Sequence, residues 1–470
     1  MIANRIGKGA LRGTLVAGIA ALALAAPLKA ETLGDALASA YNHSGLLEQN
    51  RALLRAADED VAVAVAAVRP VLNWSASVER QFGKSHVGGT VTGSASDEAS
   101  VGISAELTLY DYGRNQLAID VAKETVLATR EALISIEQRV LLRAVNAFME
   151  VRRASETVAL RESNVRLITE ELRAARDRFD VGEVTRTDVA LAEARLAAAR
   201  SNLAVAQGNL DIARAEYAAA IGHKPGHVTP PSRLPKLPPQ AQAETVAVRS
   251  HPDMVAAQRQ VTVADLNVKR AELAIKPTVS LTGRLGVTRD LDTGNWTDGG
   301  TITLGASGPI YQGGRLNALR RQAIARGDAQ RGNLHVVRQT IRQDVANAYA
   351  RLTVANAARQ ASERQIRAAT VAFNGVREEA TLGARTTLDV LNAEQELLDA
   401  RANQISAVVD EYIAAYTVLA AMGMLTASDL KLGVQQYDPA AYYNLVKNAP
   451  ATRSKQGKSL DRVLQSIGKY

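Results

Sequence analysis

The stretch LYDYGR at residues 109–114 recurs as IYQGGR at residues 310–315, so that Tyr110 and Tyr311 lie 201 positions apart. The same offset relates further pairs over more than 110 residues: NAF at 146–148 and NAY at 347–349, Gly182 and Gly383, Asp188 and Asp389, Glu193 and Glu394, and Gly222 and Gly423. A register held without a gap over this length indicates an internal duplication. The chain is therefore predicted to fold as two tandem repeats.

Each repeat contains a long stretch without proline that is rich in good helix formers. No proline lies in 71–224 or in 310–438, and proline interrupts helix interiors. Apolar residues recur there at steps of three and four: Leu133, Ile136, Val140, Ala144, Ala147 and Val151, and then Leu334, Val337, Ile341, Val345, Ala348 and Leu352. This spacing predicts helices over 114–180 and 315–381, each about 100 Å long. Helices of such length have to pack along other helices.

Four segments alternate apolar and polar residues with a period of two. They cover 71–82 and 101–109 in the first repeat and 278–288 and 301–310 in the second, with loops predicted at 83–100 and 290–300. Each has about the ten residues that a tilted strand needs to cross a bilayer. Tyr110, Tyr112 and Tyr311 sit at strand ends, where interfacial aromatic residues concentrate. A soluble four-stranded sheet packed on helices would show the same alternation.

The N-terminal residues resemble an export signal. A basic segment, with Arg5, Lys8 and Arg12, precedes the apolar stretch 14–26, and cleavage is expected after Ala30. The apolar stretch is shorter than the ~20 residues of a transmembrane helix and has the length of a signal-peptide core. No later stretch is continuously apolar over 18 residues, so any membrane crossing is expected to use strands.

Charge and composition exclude several function classes. The chain has 470 residues, no cysteine and a formal net charge of +8, of which residues 1–30 and 451–470 carry +4 each. The body, 31–450, is therefore neutral, and a nucleic-acid partner is not expected. No convincing catalytic set, phosphate-binding loop or metal-ligand pattern appears, so neither enzymatic activity nor a cofactor or metal is predicted.

Four strands cannot close a transmembrane barrel, because about eight are the minimum for a single chain. An open sheet edge in lipid would leave backbone groups unpaired, at several kcal/mol each. Several chains are therefore expected to share one barrel. Two, three or four chains, with 8, 12 or 16 strands, all satisfy this requirement.

The chain resembles the TolC family of outer-membrane efflux and type I secretion channels over about 31–446. The most specific features are YDYGR at 110–114 with YQGGR at 311–315, and the helix turns at 179–189 and 381–391. The motif YDPAAYY at 437–443 is similar to that of the type I secretion branch.

That resemblance implies a mainly α fold with a membrane β part. Three chains would form a tunnel of coiled-coil helices through the periplasm and a shared 12-stranded barrel in the outer membrane of a Gram-negative cell. This homotrimer would be a passive exit duct that docks to a periplasmic adaptor (membrane fusion) protein and to an inner-membrane pump of ABC or RND type. The alternative from another class is a soluble periplasmic coiled-coil adaptor or scaffold protein.

The predicted organisation follows the two repeats. It comprises a signal peptide at 1–30; a first repeat at 31–222 with a strand pair in 71–109 and helices at 114–180 and 186–221; a proline-rich connector at 223–243; a second repeat at 244–423 with a strand pair in 278–310 and helices at 315–381 and 387–422; an equatorial segment at 424–450; and a basic disordered tail at 451–470.

The candidate functional residues lie at the two helix turns. Gly182 and Gly383 fit helix C-terminal glycines, and Asp188 and Asp389 each follow a threonine by three positions, as in a capping box. Helix capping alone would explain these residues. The resemblance implies in addition a periplasmic gate formed by Thr187, Asp188, Arg385, Asp389 and Asn392, and adaptor-docking turns at Val181, Gly182, Leu382 and Gly383. Ala380 and Asn392 depart from the family's gate, where a tyrosine and an aspartate are expected.

Overall fold

The structure, a computed structural model, describes residues 31–231, 233–466 and 468, so the predicted signal peptide lies outside the described residues. The helices are α1 (Leu33–His43), α2 (Gly45–Ala66), α3 (Arg114–Asp180), α4 (Arg186–Ile221), α5 (Gln240–Ser250), α6 (Pro252–Leu273), α7 (Arg315–Thr381), α8 (Thr387–Ala421), α9 (Pro439–Val446) and α10 (Lys455–Ser466). The strands are β1 (Val71–Val87), β2 (Thr90–Tyr110), β3 (Thr278–Asp290) and β4 (Trp296–Ser307).

The two longest helices, α3 and α7, have 67 residues each and cover the ranges that the sequence predicts. Each folds back on the helix that follows it, and alanines recur at the contact. Leu172 and Ala175 of α3 meet Ala192 and Leu196 of α4 in one buried cluster. Small side chains let the helix axes approach closely over a long distance. Among the described helices, none is long and apolar enough to cross a membrane.

The largest hydrophobic core lies midway along the long helices. It joins α1, α2, α3, α4 and the end of α8, and its largest fully buried side chains include Leu47, Leu54, Leu141, Phe148 and Tyr217. The rings of Phe148 and Tyr217 have centroids 6.5 Å apart, a distance at which aromatic pairs attract. This core joins α3 and α4 to the short helices α1 and α2.

The proline-rich connector is held by hydrogen bonds to its carbonyl groups. The hydroxyl of Tyr412 donates to the Pro231 carbonyl at 2.7 Å, and that of Tyr349 donates to the Pro238 carbonyl at 2.5 Å. The sequence placed this connector at 223–243, whereas α5 already begins at Gln240. A helix can begin directly after a proline, and Pro239 occupies the N-cap position.

The C-terminal segment runs along α2 towards the strands. The guanidinium of Arg51 lies 5.3 Å from the ring centre of Tyr437, and the hydroxyl of Tyr442 donates to Glu59 at 2.7 Å. Beyond it, residues 451–470 were predicted to be disordered, yet Lys455–Ser466 forms α10. The Ser454 hydroxyl accepts from the Gly457 amide at 2.9 Å, which supplies an N-terminal cap that composition alone does not reveal.

The strands form one antiparallel sheet in the order β1-β2-β3-β4. Val71 pairs with Glu106, Val101 with Val287, and Thr278 with Ser307. Consequently β1 and β4 are edge strands, each with one unpaired side. The side chains of Leu72, Trp74, Val78 and Phe82 are all more than 70% exposed in the single chain. This apolar face is far larger than a soluble surface normally carries.

The first hairpin is longer than predicted and projects beyond the second. The loop prediction for 83–100 is wrong, because β1 and β2 continue to a tight turn at Gly88 and Gly89, both with positive φ. Residues 90–96 of β2 pair with β1 alone, since the register with β3 ends at Glu98. Ladder hydrogen bonds hold this polar ribbon where apolar alternation is weak.

The second hairpin also differs from the expected boundaries. The sequence predicted a loop at 290–300 and a strand at 301–310, but β4 starts at Trp296 and ends at Ser307. Gly308 and Pro309 follow directly, and proline cannot donate to a sheet ladder. Tyr311 therefore lies beyond the strand end rather than at its last position.

Gly423 provides a test of how the second repeat is closed at the middle of the molecule. Its φ is +77°, and an added Cβ would come within 3.0 Å of the His251 Cα. We expect Gly423→Ala to lower the free energy of unfolding by more than about 1 kcal/mol, since left-handed backbone and backbone crowding add. Thermal unfolding of the purified protein in detergent measures this. Gly208→Ala, at an open position within α4, is the control and should leave stability equal or higher.

Candidate functional site at the helical turns

Two turns with the same geometry connect the long helices to their partners. In the first, the amides of Gly182 and Glu183 donate to the carbonyls of Phe179 and Arg178 at 3.0 and 2.9 Å. Gly182 has φ of +84°, which glycine adopts without steric cost. These paired bonds form a Schellman motif, which satisfies the last carbonyl groups of α3.

The second turn repeats the first in detail. The amides of Gly383 and Ala384 donate to the backbone carbonyls of Ala380 and Glu379 at 3.1 and 2.9 Å, and Gly383 has φ of +79°. The expectation of helix C-terminal glycines is therefore confirmed at both turns. The duplicated sequence thus produces two equivalent turns at the far end of the helices from the sheet.

Both following helices begin with a capping box. The carboxylate of Asp188 accepts from the Thr185 amide at 2.9 Å and from its hydroxyl at 2.7 Å, and the corresponding distances for Asp389 and Thr386 are 3.0 and 2.8 Å. These hydrogen bonds lower the pKa of both carboxyl groups. Each turn therefore carries a fixed negative charge at neutral pH, beside the first turn of its helix.

Arg385 contacts its own turn in the single chain. Its Nε donates to Glu379 Oε2 at 2.8 Å, and both side chains are about half exposed. The structure does not bring Arg385 to Asp188 within one chain. The pKa of Arg385 is raised first by the bond to Glu379 and then by the charge of Asp389. An exposed ion pair of this kind is worth little in water and can exchange partners.

Within one chain, a contact from Asn392 links α8 to α4 near the helix turns. The Arg195 guanidinium on α4 donates to Asn392 Oδ1 at 3.1 Å. Asn392 was singled out through the family resemblance, as a departure from an expected aspartate, whereas Arg195 was not singled out. Thr187 lies at the second position of α4 and is exposed.

A buried polar pair above the turns also escaped the sequence analysis. Asn164 Nδ2 of α3 donates to Glu394 Oε1 of α8 at 2.7 Å, and these residues are only 7% and 4% exposed. Burial raises the pKa of Glu394 to about 7, opposed by the hydrogen bond from Asn164. The only sequence signal for Glu394 is its repeat equivalence to Glu193. That signal does not reveal burial, because Glu193 lies on the surface and pairs with Arg176 at 2.6 Å.

The proposed docking residues form an exposed apolar tip on each turn. Val181 is 72% exposed and Leu382 is 84% exposed, each directly before its glycine. Capping requires no apolar side chain at these positions, and an exposed leucine in water is stabilised by contact with a partner. The interface aromatics lie at the opposite end, where the rings of Tyr110 and Tyr112 are 4.8 Å apart and Tyr311 is 85% exposed.

Comparison with known proteins agrees with both the fold and the duplication. The family model described as outer membrane efflux protein matches residues 36–223 and 245–424, one match in each repeat. The chain is 38% identical over 446 residues to the outer membrane efflux protein BepC of Brucella suis biovar 1, covering 93% of this chain and 94% of that protein.

Two further similarities involve a secretion protein and a channel structure. The alkaline protease secretion protein AprF of Pseudomonas aeruginosa is 25% identical over 343 residues, covering 70% of each chain. The crystal structure of the CmeC outer membrane channel of Campylobacter jejuni superposes with a TM-score of 0.74 at 17% identity, over 89% of this chain and 90% of that one. At this identity the superposition establishes the shared fold.

The Asn164–Glu394 pair predicts a pH-dependent stability. The folded state raises the Glu394 pKa from 4.5 to about 7, so folding binds this proton more tightly. The contribution of the protonated Glu394 carboxyl to the free energy of unfolding is greatest below pH 4.5. It is lost as pH rises through 7, by roughly 3 kcal/mol in total. We expect Glu394→Gln to flatten the decline of the melting temperature between pH 5 and 8, measured on the purified protein.

Glu193→Gln is the matched control for this experiment, because Glu193 occupies the equivalent repeat position and is half exposed. It should leave the pH profile of stability as it is in the wild type. If Glu394→Gln retained the wild-type slope, Glu394 would not be the group that titrates.

Proposed function

The chain belongs to the outer membrane efflux protein family, and on this premise we propose that it forms the exit duct of a tripartite export system. The duct is passive, because the channels of this family are transport ducts and not enzymes. The outer-membrane location follows from the family and leaves the alternative of a soluble periplasmic adaptor without support. The long helices extend from the membrane into the periplasm. The turn between β1 and β2, at Gly88 and Gly89, lies outside the cell.

The observation that carries the proposal is the open sheet at one end of the long helices. Four strands with two unpaired edges and an exposed apolar face cannot be stable in lipid as a single chain. Joining β4 of one copy to β1 of the next closes the ring. Three copies give the 12-stranded barrel of the proposed homotrimer, with outer-membrane lipid around it.

The partners are proposed from the kinds of system that the relatives' names describe. One relative is named for efflux and another for protease secretion. We accordingly assign this duct a periplasmic adaptor protein and an inner-membrane pump of ABC or RND type. Cargo passes through the shared tunnel, and energy comes from the pump.

The gate is assigned to the turn residues Thr187, Asp188, Arg385, Asp389 and Asn392. Hydrogen bonds keep Asp188 and Asp389 charged, and in a homotrimer each carboxylate would be repeated three times around the axis. Like charges near one axis repel unless cations bridge them. Arg385 would exchange its partner Glu379 for Asp188 of a neighbouring copy. This ion pair between copies would hold the tip closed.

Docking of the adaptor is assigned to the exposed tips at Val181, Gly182, Leu382 and Gly383. The glycines allow close approach of a partner backbone, and the apolar side chains supply burial. Both tips have the same geometry, so six similar contact points per homotrimer are available to the adaptor.

Channel conductance tests the placement of Asp389 at the constriction. Asp389→Asn removes the charge, while an asparagine side chain still accepts the hydrogen bonds of the cap. We expect block by multivalent cations to weaken at least about tenfold, because three charges are lost together. Single-channel recordings of the purified protein in a planar bilayer measure it.

Asp399→Asn, on an exposed part of the same helix, is the control and should leave the block unchanged. Unaltered block in Asp389→Asn, with the channel still conducting, would remove Asp389 from the constriction.

Docking at the turns is tested by Leu382→Glu combined with Val181→Glu. A charge in an apolar contact costs several kcal/mol, so copurification of the adaptor from solubilised envelopes should be lost. Conductance of the isolated channel should persist. The control Val354→Glu changes a similarly exposed apolar residue in the middle of α7; loss of the adaptor in that variant alone would contradict the assignment.

A further inference from the structure

A basic amphipathic helix lies beside the point at which the first strand begins. The Arg69 guanidinium, two residues before β1, donates to the carbonyls of Asn448 and Ala449 at 2.5 and 2.7 Å. These bonds hold the start of the tail at the periplasmic end of the sheet. Because α10 begins six residues later, at Lys455, it remains within reach of the same level.

The two faces of α10 differ in chemistry. Lys455, Lys458 and Arg462 are exposed and follow helical spacing along one side. Leu460, Val463 and Leu464 lie on the other side, and Val463 is 36% exposed although large and apolar. Such a pattern is typical of helices that lie in the interface of a membrane.

The attachment point of the tail at Arg69 coincides with the end of the sheet that marks the membrane boundary. Tyr110 and Tyr112 mark the same end of the sheet, and the Lys276 ammonium lies 5.7 Å from the Tyr112 ring centre. Aromatic rings with lysine beside them are usual at the headgroup level. The C-terminal segment reaches this level by running up α2, from Arg51 past Glu59 to Arg69.

Charge complementarity identifies the surface that α10 fits. The body at 31–450 has no net charge, whereas 451–470 has five basic residues and only Asp461 as an acid. An anionic phospholipid surface attracts such a segment, and each basic residue is worth about fivefold in binding. The apolar stripe is short, but the tail is tethered beside the bilayer, so weak affinity suffices.

We propose that α10 docks on the anionic phospholipid headgroups of the periplasmic leaflet and anchors the base of the barrel. Lys455, Lys458 and Arg462 supply the attraction, and Val463 with its neighbouring leucines enters the headgroup region. The contact is independent of the turns at the other end of the helices.

The absence of cysteine allows a single label to test the docking. In the full-length protein, Val463→Cys is labelled with a nitrobenzoxadiazole dye and reconstituted in vesicles that contain a lipid-borne quencher. We expect strong quenching when about a third of the lipid is phosphatidylglycerol and little quenching in phosphatidylcholine alone. A label at Gln465→Cys, on the opposite side of α10, is the control and should stay unquenched.

Charge reversal separates electrostatic docking from other contacts. Lys455→Glu, Lys458→Glu and Arg462→Glu together should abolish quenching at position 463 and leave the conductance of the channel unchanged. Equal quenching in both lipids would overturn the proposal, because charge would then play no part. Absence of quenching in every lipid, with dye-to-dye contact between copies, would overturn it as well and would place α10 against a neighbouring copy.

Discussion

The backbone of the two edge strands sets the main constraint on this molecule. Every N–H and C=O group within the bilayer needs a partner, and β1 and β4 each leave one side without one in the single chain. The exposed apolar face on β1 adds to this requirement, since Trp74 and Phe82 belong in lipid. Assembly is therefore part of folding for this protein, and the long helices have to associate around the same axis as the strands.

The helical part meets a different requirement, which is to stay packed along about 100 Å. Alanine-rich contacts such as Ala175 with Ala192 keep the hairpins compact. Near the turns the contacts become polar, with Asn164 on Glu394 and Arg195 on Asn392. Polar contacts in a helical interface specify register at a cost in stability, so the helices near the turns are easier to separate than the core around Phe148.

The sequence predicted the bounds of α3 and α7 because the absence of proline and the Gly182 and Gly383 stops are local signals. Capping boxes were predictable for the same reason. The strand ends were less so, since residues 83–99 are polar and are held by cross-strand pairing rather than by alternation. The Asn164–Glu394 pair joins positions 230 residues apart, and no local pattern marks such a contact. Helix α10 depends on a serine cap within a segment whose composition suggests disorder.

The unequal hairpins determine the shape of the outer mouth. Because residues 90–96 pair only with β1, the first hairpin rises about 20 Å above the turn of the second. With threefold symmetry, three tall ribbons alternate with three low turns, so the rim is serrated rather than level. Any large molecule that approaches from outside the cell would therefore reach the Gly88–Gly89 tips before the turns between β3 and β4.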